Sequence, residues 1–142
     1  MKCFSCGKGT MKVQTADIEA HVRGEIYTVR VEAEVCSRCG EVLLDDKQAD
    51  AYTIAGSDAY RIAHGLLTTS HIKAARERLG LSQVAFAERL RVGAASVKRW
   101  EAGAIQDESS DRLIRLCTDA AEARRNLREL KSLMQPAASR IA

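Results

Sequence analysis

Apolar positions change their period along this chain, and each change marks an element. From Met11 to Val35 the pattern is that of β-structure: Val13, Ile18 and Val22 belong to a first arm, and Ile26, Tyr27, Val29, Val31 and Val35 to a second. Arg23-Gly24-Glu25 lies between the arms and predicts a hairpin turn. The short apolar run Val42-Leu43-Leu44 predicts another strand. Asp45 or Asp46 then caps a helix. Its apolar stripe, Tyr52, Ala55, Ala59, Ile62 and Leu66, recurs at three and four. Gly56 predicts a weak point and a kink within that helix, and Gly65 its end. Residues 66–69 read as a short joint.

From Ser70 the pattern is entirely helical. Ile72, Ala75, Arg76 and Leu79 define one helix stopped by Gly80. Ser82 caps a second, Gln83 to Leu90, with Phe86, Ala87 and Leu90 inward. After the turn Arg91-Val92-Gly93, a third helix runs from Ala94 to Ala102, buries Val97 and Trp100, and ends at Gly103. Two short helices joined by such a turn predict a helix-turn-helix, whose second helix enters the major groove. Leu113, Leu116, Ala120, Ala123, Leu127, Leu130 and Met134 are spaced alternately three and four apart, the seam of one long C-terminal helix capped by Ser109 or Ser110. Part of that seam has nothing in its own domain to cover, which predicts a homodimer; the alternative is a helix folded back on its own chain. Pro136 ends the helix, and the residues after it are expected to fray. Cys117, beside the seam, reads as a buried apolar residue rather than a reactive thiol.

The predicted fold class is therefore α+β. A small β-hairpin and helix domain, residues 1–67, precedes an all-α domain, residues 70–142. Charge divides along the same line. From Ser70 onward 14 Lys/Arg stand against 9 Asp/Glu, whereas the first 69 residues hold 8 against 10. A basic C-terminal half suits a polyanion, and a slightly acidic N-terminal half suits some other partner. No apolar run is long enough to span a membrane, and the chain opens without the apolar segment of a signal peptide, so a cytoplasmic protein is expected.

Chemistry enters with the cysteines. Cys3-Phe4-Ser5-Cys6-Gly7 and Cys36-Ser37-Arg38-Cys39-Gly40 are matching C-x-x-C-G units. Each sets two thiols on a tight turn that the trailing glycine closes at positive φ. The hairpin between them carries the chain out and back, so Cys3, Cys6, Cys36 and Cys39 converge as the ligands of one Zn²⁺ ion. Redox or disulfide use is disfavoured, because the βαβ context of a thioredoxin-like motif is missing and no oxidising compartment is indicated. Four thiolates leave no open position for water or substrate, so the expected zinc is structural and the protein is not an enzyme. His21, His64 and His71 lack ligand spacing to either unit and read as ordinary histidines.

The helix-turn-helix supplies the second set of candidates. Gln83 opens its helix, where free N–H groups and the dipole favour a phosphate. Ala95, Ser96, Lys98 and Arg99 lie on the third helix, where outward side chains meet base edges. Arg99 is the leading base reader, because its fork fits O6 and N7 of guanine. Lys98 suits a phosphate and Ser96 an adaptable hydrogen bond; for each position the alternative is a solvated face without function. Trp100 falls on the buried side, and so few aromatics argue against a single-strand stacking surface.

Leu81-Ser82-Gln83, Ala87-Glu88-Arg89-Leu90 and Val97-Lys98-Arg99-Trp100-Glu101-x-Gly103 resemble an Xre/Cro-type helix-turn-helix. Combined with the paired C-x-x-C-G units, the chain resembles the MqsA-type (YgiT-type zinc finger) antitoxins over about residues 1–116. The resemblance implies a zinc-bound domain that grips a ribonuclease toxin, and a C-terminal domain that dimerises and represses its own operon. It implies that Gln83 clamps the DNA backbone and that Arg99 reads bases. It also exposes a departure: Ala95 stands where that pattern commonly has asparagine, and a methyl can pack on thymine but cannot bond adenine bidentately. The rival reading is a stand-alone repressor that responds to zinc or to thiol oxidation, which requires a metal lost under mild chelation. RNA binding by the first domain is disfavoured by its negative balance.

Overall fold

The computed structural model describes residues 1–136 of the chain. Among them lie a three-stranded antiparallel sheet and six helices, an α+β fold. The chain divides into two compact units: Met1–Thr69 together with Ala102–Ile105, and Ser70–Glu101 together with the chain from Gln106 onward.

In the first unit, β1 (Met11–Val22) and β2 (Glu25–Cys36) form a hairpin in which Val22 pairs with Glu25 and Met11 with Cys36. The turn is the dipeptide Arg23-Gly24, with φ of 50° and 81°, the left-handed pair whose twist matches that of the flanking strands. A short β3 (Val42–Leu43) pairs antiparallel with the end of β2. Strand parity then divides the work between two faces. Val29, Val31 and Ala33 of β2, with Ala20 of β1, are buried on one face. Cys36, three residues beyond Ala33, falls on the other, where Cys3, Met11 and Cys36 cluster against Cys6 and Leu43.

The first face carries α1 (Asp46–Ala63). Asp45 caps it in a capping box with Gln48, which satisfies two backbone N–H groups at once. At the far end Gly65 takes φ 69°, and its N–H and that of Leu66 bond back to the carbonyls of Ile62 and Arg61, a Schellman closure. The helix runs unbroken through Gly56, where a Cβ would stand 3.1 Å from the Ala20 methyl. One expectation about this helix needs correction. Ile62 lies outside the buried stripe at 69% exposed, and the inward position belongs to Arg61, which is fully buried. The Arg61 guanidinium bonds Asp58 at 3.0 Å, the Thr69 hydroxyl at 2.6 Å and the Ala104 carbonyl at 2.7 Å. A buried charge is tolerated when its donors are satisfied in this way.

The second unit has α2 (Thr69–Arg78), α3 (Gln83–Leu90), α4 (Ala94–Glu101), α5 (Glu108–Thr118) and α6 (Ala120–Met134). Ile72, Ala75, Phe86, Ala87, Leu90, Val97, Trp100 and Ile114 form its core. Ser82 caps α3 through the Ala85 N–H at 3.1 Å. Arg91 ends α3 in the left-handed region at φ 59°. The long C-terminal helix expected from the heptad spacing is two helices. Asp119 adopts extended backbone, closes α5 and caps α6 through the N–H groups of Ala121 and Glu122. Beyond it the chain folds back, and Arg112 of α5 bonds Asn126 of α6 at 3.1 Å. The cap of α5 is Asp107, whose carboxylate accepts from the Ser110 N–H at 2.6 Å, not Ser109 or Ser110. On α6 Leu127, Leu130, Leu133 and Met134 are exposed. The fraying expected after Pro136 lies outside the described residues.

Candidate functional site

The two C-x-x-C-G units meet at the open end of the hairpin because the strands are equal in length and in register. One main-chain bond and one side-chain bond zip them together: Ser37 N–H to the Thr10 carbonyl at 3.0 Å, and Thr10 N–H to the Ser37 hydroxyl at 3.1 Å. In each unit the trailing glycine donates back to the first cysteine, Gly7 to Cys3 at 2.9 Å and Gly40 to Cys36 at 3.2 Å. Both glycines hold positive φ, 63° and 74°. The sequence motif thus becomes two copies of one turn.

All four sulfurs lie within 4.8 Å of one another. Cys3 Sγ is 3.6 Å from Cys39 Sγ, and Cys6 Sγ is 3.8 Å from Cys36 Sγ, far beyond a disulfide bond. Cys3 and Cys36 are buried, Cys6 is half-buried, and Cys39 is at the surface. Backbone N–H groups aim at the sulfurs and favour their charged forms. Those of Cys39 and Arg38 bring the Cys36 thiol down to about 6, and those of Lys8 and Gly9 lower Cys6. At Cys39 the Glu41 N–H acts the same way, but the neighbouring Cys36, Cys3 and Cys6 sulfurs and burial oppose it, and that thiol is pushed up to about 12. Four thiolates cannot share so small a volume without a cation. With one present the mutual repulsion becomes attraction, so this donor set can hold a metal ion.

Gly9 is a residue the sequence reading missed. A Cβ on it would clash with Cys36 Sγ, well inside van der Waals contact distance, and stand 3.0 Å from Arg38 Cβ, while its N–H donates to Cys6 Sγ at 3.3 Å. The signal was the second glycine in Cys6-Gly7-Lys8-Gly9, placed where one backbone must pass close to another sulfur. The histidines lie apart from the sulfurs: the metal-competent cluster among the described residues consists of cysteines alone. His64 instead faces Glu25 at 2.8 Å and stacks on Tyr60 with ring centroids 4.1 Å apart, which fastens the end of α1 to the hairpin tip.

In the second unit Ala95, Lys98 and Arg99 are exposed on one side of α4 and Ser96 is half-buried, while Val97 and Trp100 point into the core. Arg99 Nη2 lies 3.4 Å from the Ser96 hydroxyl, a contact that holds the guanidinium along the helix surface. Gln83 stands at the first position of α3, and its side-chain amide donates to Glu101 Oε2 at 2.6 Å. Cys117 is half-buried, and its backbone carbonyl accepts from Arg89 Nε at 3.1 Å.

A sheet unit ending in a four-cysteine cluster, followed by a unit of short helices, defines a two-unit protein whose first unit can hold a metal ion. A family model described as the antitoxin component of a bacterial toxin–antitoxin system, MqsA, matches residues 1–128, and the chain belongs to this family. Comparison with curated proteins gives no match. Among solved structures, the N-terminal domain of the E. coli protein MqsA (YgiT) is similar, at 27% identity over 46% of this chain and 97% of that one, with a TM-score of 0.36. Among the described residues no helix is long and apolar enough to cross a membrane.

Proposed function

We propose that this chain is a zinc-bound antitoxin. Residues 1–67 cover a partner toxin, an mRNA-cleaving ribonuclease. Residues 70–142 bind operator DNA as a homodimer and repress the operon that encodes both proteins. The observation that carries the reading is the convergence of four sulfurs within 4.8 Å in a chain matched by the antitoxin family over residues 1–128. A tetrahedral site with Zn–S bonds of about 2.3 Å has sulfur–sulfur edges of about 3.8 Å. The Cys3–Cys39 and Cys6–Cys36 separations of 3.6 and 3.8 Å fit that edge. Cys3, Cys6, Cys36 and Cys39 saturate the ion, which supplies a rigid platform rather than catalysis.

The DNA-binding part of the reading is supported by the exposed side of α4. Arg99 reads guanine, Lys98 contacts phosphate, Ser96 adapts, Ala95 packs on a thymine methyl, and Gln83 clamps the backbone at the start of α3. A homodimer suits paired half-sites about one helical turn apart, and the exposed leucines of α6 offer apolar surface for it. The test is expression from the native operon, with elemental analysis and a gel shift on the upstream duplex. One zinc per chain, a co-purifying small protein and a shift lost in Arg99→Ala are expected. Purified chain with no transition metal sinks the zinc assignment; absence of any small partner sinks the antitoxin reading of this chain. A shift unchanged in Arg99→Ala removes Arg99 from the site.

A further inference from the structure

The start of α3 is held by a network that the established parts of the site do not account for. Glu101, the last residue of α4, carries a carboxylate only 6% exposed. Arg76 of α2 donates to Oε1 through Nε at 3.0 Å and Nη2 at 2.9 Å, while its Nη1 donates to the Leu81 carbonyl at 2.9 Å. The other oxygen, Oε2, accepts from Gln83 Nε2 at 2.6 Å. Three helices thus meet on one carboxylate at the residue where α3 begins.

A carboxylate only accepts, so it fixes which end of the Gln83 amide faces inward: Nε2 turns to Glu101. One N–H of that nitrogen is used there, and the other is left with a set direction at the helix N-terminus. Arg76 makes this arrangement compatible with an anion. An unpaired carboxylate beside a phosphate would repel it, whereas the Arg76–Glu101 pair is neutral and still aligns the amide. Arg76 also holds the Leu81 carbonyl, which fixes the backbone two residues before Gln83.

We propose that Glu101 is a positioning residue for DNA binding, which orients the Gln83 amide toward a backbone phosphate while Arg76 neutralises its charge. The inference rests on the DNA-binding reading above. It identifies a residue that never touches DNA yet sets the strength of a sequence-independent contact.

The test is a double-mutant cycle with wild type, Gln83→Ala, Glu101→Gln and the double variant, on the upstream duplex and on a scrambled duplex. Glu101→Gln keeps shape and volume but offers one acceptor where the carboxylate offers two. Arg76 takes that oxygen, and Gln83 then faces an N–H and must turn. The expected result is a loss of about fivefold in each single variant, the scale of one hydrogen bond, equal on both duplexes. The double variant should bind no more weakly than Gln83→Ala alone. A Glu101→Gln protein that binds like wild type overturns the inference, and so does a loss that persists undiminished in the Gln83→Ala background, which marks a merely structural role. Arg99→Ala separates the two levels. Wild type that binds no upstream duplex, or Arg99→Ala that binds it unchanged alongside an inert Gln83→Ala, ends the DNA reading and this inference with it. Normal sensitivity to Arg99→Ala together with an additive cycle ends the inference alone.

Discussion

The two units are built on opposite principles. The second has a conventional core, in which Ile72, Phe86, Val97 and Ile114, one from each of α2 to α5, are fully buried. A fully buried side chain of this size stabilises by about 1.5–3 kcal/mol, and several suffice for a small domain. At the cysteine end of the first unit, the buried apolar residues are Cys3, Met11 and Cys36, supported by Cys6 and Leu43. Three of those five side chains are cysteines of the cluster that can hold a metal ion. Where hydrophobic burial is so thin, an ion held by the four sulfurs would supply the ordering; such bonds contribute about 10–16 kcal/mol in small zinc peptides. The comparison teaches that the cysteine end of one unit would depend on an ion its four sulfurs can hold, whereas the core of the other depends on apolar burial alone.

The largest expected effect exploits that difference. Cys36→Ser should abolish metal binding and unfold the cysteine end of the first unit, while the helical signal of the second persists. Elemental analysis and amide chemical shifts provide the measurement; loss of dispersion throughout both units would break the comparison. Phe86→Ala is the reciprocal change. It should destabilise the second unit by about 3–5 kcal/mol through the cavity it leaves, with metal content unchanged, as read by denaturant unfolding and metal assay.

Gly9→Ala sharpens the comparison further, because it adds an atom without removing a ligand. The new Cβ meets Cys36 Sγ and Arg38 Cβ, and the backbone must shift to admit it. The Gly9 N–H then loses its aim at Cys6 Sγ. Metal affinity should fall about 10–100-fold, the range of changes just outside the ligand set. Competition with a chromophoric chelator would measure it. Wild-type affinity in Gly9→Ala would mean that the strand positions, not the turn backbone, fix the sulfurs.

Legibility in the sequence follows the same divide. The paired C-x-x-C-G turns, the hairpin turn within Arg23-Gly24-Glu25, a cap at Asp45 or Asp46 and the cap Ser82 are local signals, and local signals survive in one dimension. What failed depended on tertiary contact or on a break that leaves periodicity intact. A helix that stops at Asp119 and resumes at Ala120 keeps its three-and-four spacing, so the seam from Leu113 to Met134 looked continuous. Yet Asp119-Ala-Ala-Glu122 has the spacing of a capping box, and Asp119 does accept from the Ala121 and Glu122 N–H groups. Arg61 was invisible for another reason. Polarity predicts exposure, and only the fold brings Asp58, Thr69 and the Ala104 carbonyl to its guanidinium. Gly9 was missed, and Glu101 was read only as part of a motif, because what each touches lies across the chain.

The smallest expected effect concerns pH and separates the units by titration. Asp107 caps α5, and the Ser110 backbone N–H, bonded to its carboxylate, holds its pKa below the usual carboxylate range. A depressed folded pKa means that the stabilisation is complete above the unfolded value and is lost as pH falls through the folded one. Asp107→Asn keeps an accepting side-chain oxygen at the cap but cannot titrate. In the variant the thermal midpoint of the second unit should therefore fall less steeply than in wild type as pH drops from about 5 toward 2. The first unit should show no such difference between the two proteins, because Asp107 belongs to the second unit. Parallel pH profiles for the second unit would mean that the Ser110 N–H finds an equal partner in the unfolded chain, and that the cap adds nothing to its acid sensitivity.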